Sequence, residues 1–230
     1  MSPWLLLGVS YLVGSIPASY IAGRLARGID LREHGSGNLG ATNTFRVLGA
    51  KVAAPVMLFD VFKGFAPAWF LPRWDTSPDW RWALAYGAAA IVGHVFSLYM
   101  RFRGGKGVAT GAGVFLALAP LAMGVAFAVW LVTLRLGRMV SLASILAALT
   151  LVPLLWVTGA AVEARALGVA IAAFIVFSHR ANLGRILSGE EQRFGKRAAR
   201  EHPAEATTAA AAAVVASAGC SRAARLPKRC

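Results

Sequence analysis

Apolar runs long enough to cross a lipid bilayer recur along this chain of 230 residues, which is 57% hydrophobic and 15% charged. A helix needs about 20 apolar residues to cross roughly 30 Å of hydrocarbon, whereas a β-barrel would show alternating segments of about ten residues. Soluble domains usually carry about 25% charged residues. The sequence therefore predicts an all-α, polytopic integral membrane protein.

The positions of the basic residues predict the orientation. Apolar runs cover residues 3–23, 52–71 and 82–100; arginines follow the first and the third, and the loop after the second carries Asp75 and Asp79 among tryptophans. Lys and Arg mark the cytoplasmic side of membrane proteins. We therefore expect the N-terminus outside and the C-terminus in the cytoplasm. The net charge of +14 has the same origin and does not indicate nucleic-acid binding.

Residues 108–134 allow two topologies, because Pro120 lies near the middle of a 27-residue apolar stretch. A single crossing places Arg135 and Arg138 outside. A break at Pro120 with two crossings places every basic cluster inside and gives about seven transmembrane helices, with further spans at 139–157 and ending near 177. We favour the second topology, although residues 108–119 would make only about 18 Å of helix.

The remainder of the chain defines the domain organisation. Residues 1–200 are interpreted as one membrane-embedded domain, and residues 201–230 as an Ala-rich, basic, disordered tail. Both cysteines, Cys220 and Cys230, lie in this tail, so we expect neither a disulfide framework nor a Cys/His metal site. No cofactor is expected.

The loop His34–Arg46 reads HGSGNLGATNTFR and lies between two apolar runs. It matches G-x-G-x-x-G, but a membrane span precedes it instead of a strand, so dinucleotide binding is excluded. Consecutive amides of such a loop can form a concave anion site, to which Ser36, Asn38, Thr42 and Asn43 add donors and Arg46 adds charge. The alternative is a glycine-rich turn that caps two helices.

A second loop, Arg101–Gly107, leads into an apolar helix. A phosphate could bind at the N-terminus of that helix beside Lys106. The alternative, a basic juxtamembrane turn, explains the cations but not three glycines in four positions.

A third basic cluster begins at Ser178. His179 and Asn182 share one face if the last helix continues past the membrane, and histidine can act as a general base or bind an anion. Within the second span, Asp60 and Lys63 are three residues apart, and we expect an internal ion pair that positions the loops. His94 is expected to make a structural hydrogen bond. The HxxxxD acyltransferase dyad is absent.

Taken together, these segments resemble the PlsY family of bacterial acyl-phosphate:glycerol-3-phosphate acyltransferases over residues 1 to about 195. The resemblance is carried by residues 14–17 (GSIP), 34–49 (HGSGNLGATNTFRVLG), 59–64 (FDVFKG), 93–94 (GH), 102–110 (FRGGKGVAT), 179–182 (HRAN) and 189–190 (GE). It implies a seven-helix enzyme that transfers an acyl group from acyl phosphate to the sn-1 hydroxyl of glycerol 3-phosphate. The products would be lysophosphatidic acid and phosphate, in bacterial phospholipid synthesis.

The resemblance also implies residue roles. Its catalytic candidates are Ser36, Arg46, Lys106, His179 and Asn182. Substrate or phosphate binding is expected of Gly35, Gly37, Asn38, Gly40, Thr42, Asn43, Gly104, Gly105, Gly107, Thr110 and Ser141. Structural roles are expected of Asp60, Lys63 and Glu190, and no metal ligand is expected.

The partners implied are acyl phosphate, glycerol 3-phosphate and membrane lipid, with the site on the cytoplasmic face of the bacterial inner membrane. The oligomeric state is left open. Two alternatives remain at this stage: a transporter for a phosphorylated solute, and a structural protein whose basic loops contact anionic lipid.

Overall fold

A computed structural model describes residues 1–77 and 79–194. This part of the chain is helical and contains no strand. Its α-helices are α1 (Pro3–Ser15), α2 (Ala18–Arg27), α3 (Ala41–Leu48), α4 (Ala50–Phe70), α5 (Arg81–Val95), α6 (Val108–Leu118), α7 (Pro120–Gly137), α8 (Val140–Val157), α9 (Val162–Ser178) and α10 (Arg180–Leu187). Short 3-10 turns follow α4 and α5, at Leu71–Arg73 and Leu98–Met100. The predicted tail, 201–230, lies outside the described residues.

Five stretches of these helices are long and apolar enough to cross a membrane: Pro3–Arg27, Ala50–Arg73, Arg81–Met100, Pro120–Gly137 and Val140–Val157. A sixth forms if α9 and α10, bent by 55° at His179, count as one broken span. Many apolar side chains of α7 face outward, as expected where lipid is the solvent; Leu121 and Leu136 are 70% and 80% exposed. The all-α membrane class is confirmed, while seven crossings and the sidedness of the termini stay predictions.

The stretch 108–134 is broken at Ala119, which has non-helical backbone angles. Pro120 then starts α7, a favoured position because proline lacks the amide that a first-turn residue leaves unpaired. The eleven residues of α6 make about 17 Å of helix. Its centre is enclosed by the bundle, since Val114 and Phe115 are completely buried. The break thus lies where the two-segment topology requires it.

Glycine allows α4 and α6 to pack backbone against backbone. A Cβ at Gly64 would overlap the carbonyl oxygen of Thr110, and a Cβ at Gly113 would overlap that of Val61. Neither obstacle is a movable side-chain end. Small residues let helices approach closely where lipid supplies no hydrophobic driving force. This contact holds α6, and the loop before it, against the long helix α4.

Replacing Gly113 by alanine tests this contact. Alanine favours helix formation by about 1 kcal/mol over glycine, but at Gly113 we expect overpacking to dominate and to destabilise the protein by about 1–3 kcal/mol. Gly124, which has open space around its Cα, is the matched control. Thermal unfolding in detergent should show a lower midpoint for Gly113→Ala and an unchanged or higher one for Gly124→Ala. Equal midpoints would contradict the packing argument.

Candidate active site

The first loop is held by the side chain of Asn43, which is 1% exposed. Its Nδ2 donates to the carbonyl oxygens of Leu31 and His34, at 3.1 and 3.0 Å, and its Oδ1 accepts from the amide of Ser36 at 2.8 Å. The amide group of Asn43 is therefore fully used inside the protein. Phosphate binding by Asn43 stays a prediction; in the structure its side chain shapes the loop.

The glycines of this loop serve its backbone shape. Gly35 and Gly37 have φ of +63° and +68°, in the left-handed region that glycine adopts without strain. The amides of Gly37 and Gly40 donate to the carbonyls of His34 and Asn38, at 3.1 and 3.0 Å. The first amides of α3, from Ala41 on, have no partner within the helix and remain for a ligand. The half-buried Asn38 and Thr42 flank this helix end, and Ser36 is exposed.

The second loop is pressed against the end of α5. The amides of Gly104 and Gly105 donate to the carbonyls of Val95 and His94, at 2.9 and 3.1 Å. A Cβ at Gly104 would overlap the carbonyl of His94, and one at Gly105 would overlap the His94 ring. We had expected these two amides to bind phosphate; their hydrogens already have acceptors, because this close approach pairs them with α5.

The amides at the start of α6 are the groups beside the second loop that could bind an anion. Gly107, with φ of +78°, directly precedes α6. The amides of the first turn of a helix have no partner inside the helix, and no side chain of the described residues caps them here. Thr110 in that turn is completely buried against Gly64, and its Oγ1 has no hydrogen-bond partner within the described ranges. The side chain of Lys106 extends from the same turn.

Lys106 joins the second loop to the third basic cluster, which begins at Ser178. Its Nζ donates to Asn182 Oδ1 at 2.6 Å, and Asn182 Nδ2 donates to Glu191 Oε1 at 2.7 Å. Ser141 Oγ donates to the same Oε1 at 2.7 Å, and Arg185 Nε donates to Oε2 at 2.9 Å. Ser141, expected to bind substrate, thus holds Glu191. The Glu191 carboxylate thus links α8 and α10 and, through Asn182, the second loop.

Glu191 is the residue that sequence reasoning missed. Glu190, which we expected to be structural, is exposed and accepts a hydrogen bond from Ser188 Oγ at 3.2 Å. Glu191 is 8% exposed and receives three side-chain hydrogen bonds. The two glutamates are adjacent beyond the last helix, where no periodicity indicates which of them points inward. The pair itself, next to Gly189, was the available signal.

The segment after α10 packs against α3 and the end of α7. Phe194 stacks on Phe45 of α3, with ring centroids 4.3 Å apart. The amide of Phe194 donates to the carbonyl of Arg138, whose Nε donates to the Phe194 carbonyl at 3.3 Å. These contacts bring α3, with the half-buried Arg46, beside the Glu191 network. Arg46 lies close enough for its charge to affect Lys106.

His179 lies at the bend between α9 and α10, not on a continued helix as expected. It is 5% exposed, and its Nδ1 lies 2.8 Å from the carbonyl of Ile175. A carbonyl can only accept, so Nδ1 carries the proton and Nε2 is left as an acceptor. Burial, with the Lys106 charge next, lowers the pKa of His179 to about 4. The ring is therefore neutral at pH 7.

The electrostatics favour a phosphate. Burial, together with the charges of Arg185 and Arg46, lowers the pKa of Lys106 to about 8, against the opposing influence of Glu191. Burial by itself would raise the pKa of Glu191, but hydrogen bonds from Ser141, Asn182 and Arg185 outweigh it and lower that pKa. Three cations thus surround one carboxylate, and the surplus of positive charge suits an anionic ligand.

The fold and this site define the class: a helical integral membrane protein with a positively charged polar site where three loops converge. Residues 4–189 match the family model described as glycerol-3-phosphate acyltransferase, and the chain belongs to that family.

The chain is 45% identical over 194 residues to a glycerol-3-phosphate acyltransferase of Desulforudis audaxviator, covering 84% of this chain and 96% of that protein. It is 42% identical to glycerol-3-phosphate acyltransferase 3 of Bacillus anthracis, covering 83% and 94%. Two crystal structures of PlsY (YgiH), an integral membrane glycerol 3-phosphate acyltransferase, are similar, both with a TM-score of 0.76. The glycerol 3-phosphate form is 39% identical and covers 84% of this chain and 96% of the other; the lysophosphatidic acid form is 38% identical and covers 84% and 95%.

The lowered pKa of Lys106 predicts pH-dependent anion binding. The ammonium is charged below pH 8 and loses its proton above it, so sulfate, whose own charge is constant in this range, should bind more weakly as the pH rises. We expect about a tenfold loss of affinity between pH 7 and pH 10, measured by titration calorimetry in detergent. Lys106→Arg should abolish the pH dependence, because guanidinium stays charged. Lys51→Arg, at an exposed position on α4, is the control. An unchanged profile in Lys106→Arg would refute the assignment.

Proposed function

We propose that this protein transfers a fatty acyl group from acyl phosphate to the sn-1 hydroxyl of glycerol 3-phosphate, releasing lysophosphatidic acid and phosphate. The observation that carries the proposal is the hydrogen bond from the Lys106 ammonium to Asn182, which lies three residues from the buried His179. The relatives named above are glycerol-3-phosphate acyltransferases, and the similar structures are glycerol 3-phosphate and lysophosphatidic acid forms.

Both substrates carry a phosphate, so the cations have two tasks. They hold the phosphates, and they offset the charge that grows on the leaving phosphate as its bond to the acyl carbon breaks. Lys106 and Arg46 are the residues proposed for these tasks. The free amides at the start of α6 add donors that need no reorganisation.

His179 is proposed to orient the attacking hydroxyl. Its free Nε2 can accept the hydroxyl hydrogen while the sn-1 oxygen forms the new ester bond. A pKa of about 4 makes it a weak base. Acyl phosphate is already activated, and the departing phosphate can take the proton, so a strong base is not required.

We favour direct transfer over an acyl-enzyme on Ser36. A serine nucleophile needs an adjacent base. Within the described residues, Ser36 makes its hydrogen bond through its backbone amide, and no side-chain base contacts its hydroxyl. A labelled acyl-enzyme trapped without glycerol 3-phosphate would overturn this preference.

The proposed location is the bacterial inner membrane, with the site facing the cytoplasm. The support is the charge of the loops on the side of the site: Arg101 and Arg103 lie in the second loop, Arg138 contacts Phe194, and Arg135 is three residues before Arg138. Basic residues beside membrane spans mark the cytoplasmic side.

Purified protein in detergent, given palmitoyl phosphate and labelled glycerol 3-phosphate, should form lysophosphatidic acid, and palmitoyl-CoA should not replace the acyl phosphate. Lys106→Ala should lower kcat/KM by at least about a hundredfold, because a charge-assisted contact made in the transition state is lost. Lys51→Ala should retain activity. Absence of product from either donor, in protein that still binds glycerol 3-phosphate, would overturn the proposal and favour transport.

His179→Gln separates orientation from base catalysis. Glutamine keeps a hydrogen-bond acceptor but cannot take a proton at neutral pH. If His179 orients the hydroxyl, kcat should fall less than about tenfold, since general base catalysis is worth about 10²–10⁴-fold. A fall of a hundredfold or more would make His179 an essential base.

A further inference from the structure

A charged cluster is buried inside the bundle, apart from the Glu191 network. Asp60 and Lys63 of α4 are each 2% exposed, and Lys63 Nζ lies 2.7 Å from Asp60 Oδ1. His94 of α5 is 6% exposed, with its Nδ1 3.7 Å from the same oxygen. Removing each ion from water costs several kcal/mol, so a buried pair is poor evidence for stability alone. Ionisable groups inside membrane helices usually serve function.

On one side, the cluster holds the break between α1 and α2. Ile16 leaves the helical conformation, and Pro17 has no amide to donate. The carbonyl of Ser15 accepts from Ser97 Oγ at 2.6 Å, and the carbonyl of Ile16 accepts from Lys63 Nζ at 2.9 Å. Lys63 therefore supplies a hydrogen bond at a broken helix, where an unpaired carbonyl within the membrane would be costly.

On the other side, the cluster contacts the second loop. The carbonyl of His94 accepts the Gly105 amide at 3.1 Å, and the His94 ring fills the space where a Cβ of Gly105 would lie. The carbonyl oxygen of Leu39, in the first loop, would be 2.8 Å from that Cβ. Gly105 is thus enclosed between α5 and the first loop, and Lys106 is the next residue.

A small pocket of about 10 Å³, scarcely room for one water molecule, lies between these parts. It is lined by residues 15–18, Leu39, the three cluster residues, Ser97 and the two glycines 104 and 105. Lys63 bonds the α1–α2 break on one side of this pocket, and the His94 ring contacts the glycine turn on the other side.

We propose that Asp60, Lys63 and His94 are positioning residues that set the place of the 104–105 turn, and through it Lys106, relative to the first loop. They act through Lys106 and do not touch substrate. This inference rests on the acyl transfer proposed above. A displacement of about 1 Å in a site of this kind can lower the rate by a hundredfold.

The test is a mutant cycle with Lys106. In the combined variant Asp60→Asn, Lys63→Met the buried charges are removed together, a change that many folds tolerate. We expect kcat/KM for glycerol 3-phosphate to fall at least about tenfold in protein that still folds, with a lower thermal midpoint because the Ile16 carbonyl loses the hydrogen bond from Lys63. In a Lys106→Ala background the same replacement should cost less than about twofold, because the residue being positioned is absent. If the combined variant lowers kcat/KM by the same factor with and without Lys106, the inference is overturned. Unchanged activity of the combined variant would also overturn it.

Two further variants complete the test. Tyr86→Phe is the matched control, because it also removes a polar group from a completely buried side chain. The Tyr86 hydroxyl donates to Asp75, which belongs to none of the three site loops, so this variant should keep normal activity. If the combined variant does not fold, Gly105→Ala decides instead. It should show the same loss, and the same suppression in Lys106→Ala, whereas Gly124→Ala should show neither.

Failure of the proposed function can be told apart from failure of this inference. If the unmodified protein forms no lysophosphatidic acid, the acyl-transfer proposal fails. The affinity for sulfate is then measured in the same four proteins of the mutant cycle. Weaker sulfate binding in the combined variant, but not when Lys106 is also replaced, would still support positioning. Equal loss in both backgrounds would reject it.

Discussion

The hydrogen bond from the Lys106 ammonium to the Asn182 amide oxygen is the contact on which the site depends. It joins the turn before α6 to the helix after the 55° bend, two segments far apart in sequence. Behind Asn182, Glu191 compensates part of the positive charge and fixes the amide by a second hydrogen bond. Because Glu191 also binds Ser141 and Arg185, one carboxylate determines the arrangement of α8, α10 and the second loop.

Broken helices make this site possible. A continuous span satisfies all its backbone groups internally and offers nothing to a polar ligand. Here the chain breaks between α1 and α2, before α6, and between α9 and α10. Each break frees backbone groups from the helix. Side chains such as Lys63 and Ser97 donate to the freed carbonyls, and freed amides lie at the starts of the following helices. The protein thereby presents donors at one end of a bundle whose other faces are apolar.

Charge is balanced differently in the two polar regions. In the Asp60–Lys63 pair one cation meets one anion, with almost no exposure. Around Glu191, several cations share one anion, and burial, together with the neighbouring charges of Arg185 and Arg46, lowers the pKa of Lys106 to about 8. The first arrangement is balanced in charge without a ligand and suits a framework. The second is completed by an anion, as phosphate substrates would provide.

Much of this was accessible from the residues alone. Apolar length and loop charge determined the helical membrane class, and the glycine-rich, basic loops predicted where an anion site would lie, because both depend on composition over short windows. The tertiary structure decided the individual roles. Asn43 turned out to hold its loop, the amides of Gly104 and Gly105 to pair with α5, and the buried carboxylate to be Glu191 instead of Glu190. Hydrogen-bond partners and burial are set by chain segments distant in sequence, and no local pattern encodes them.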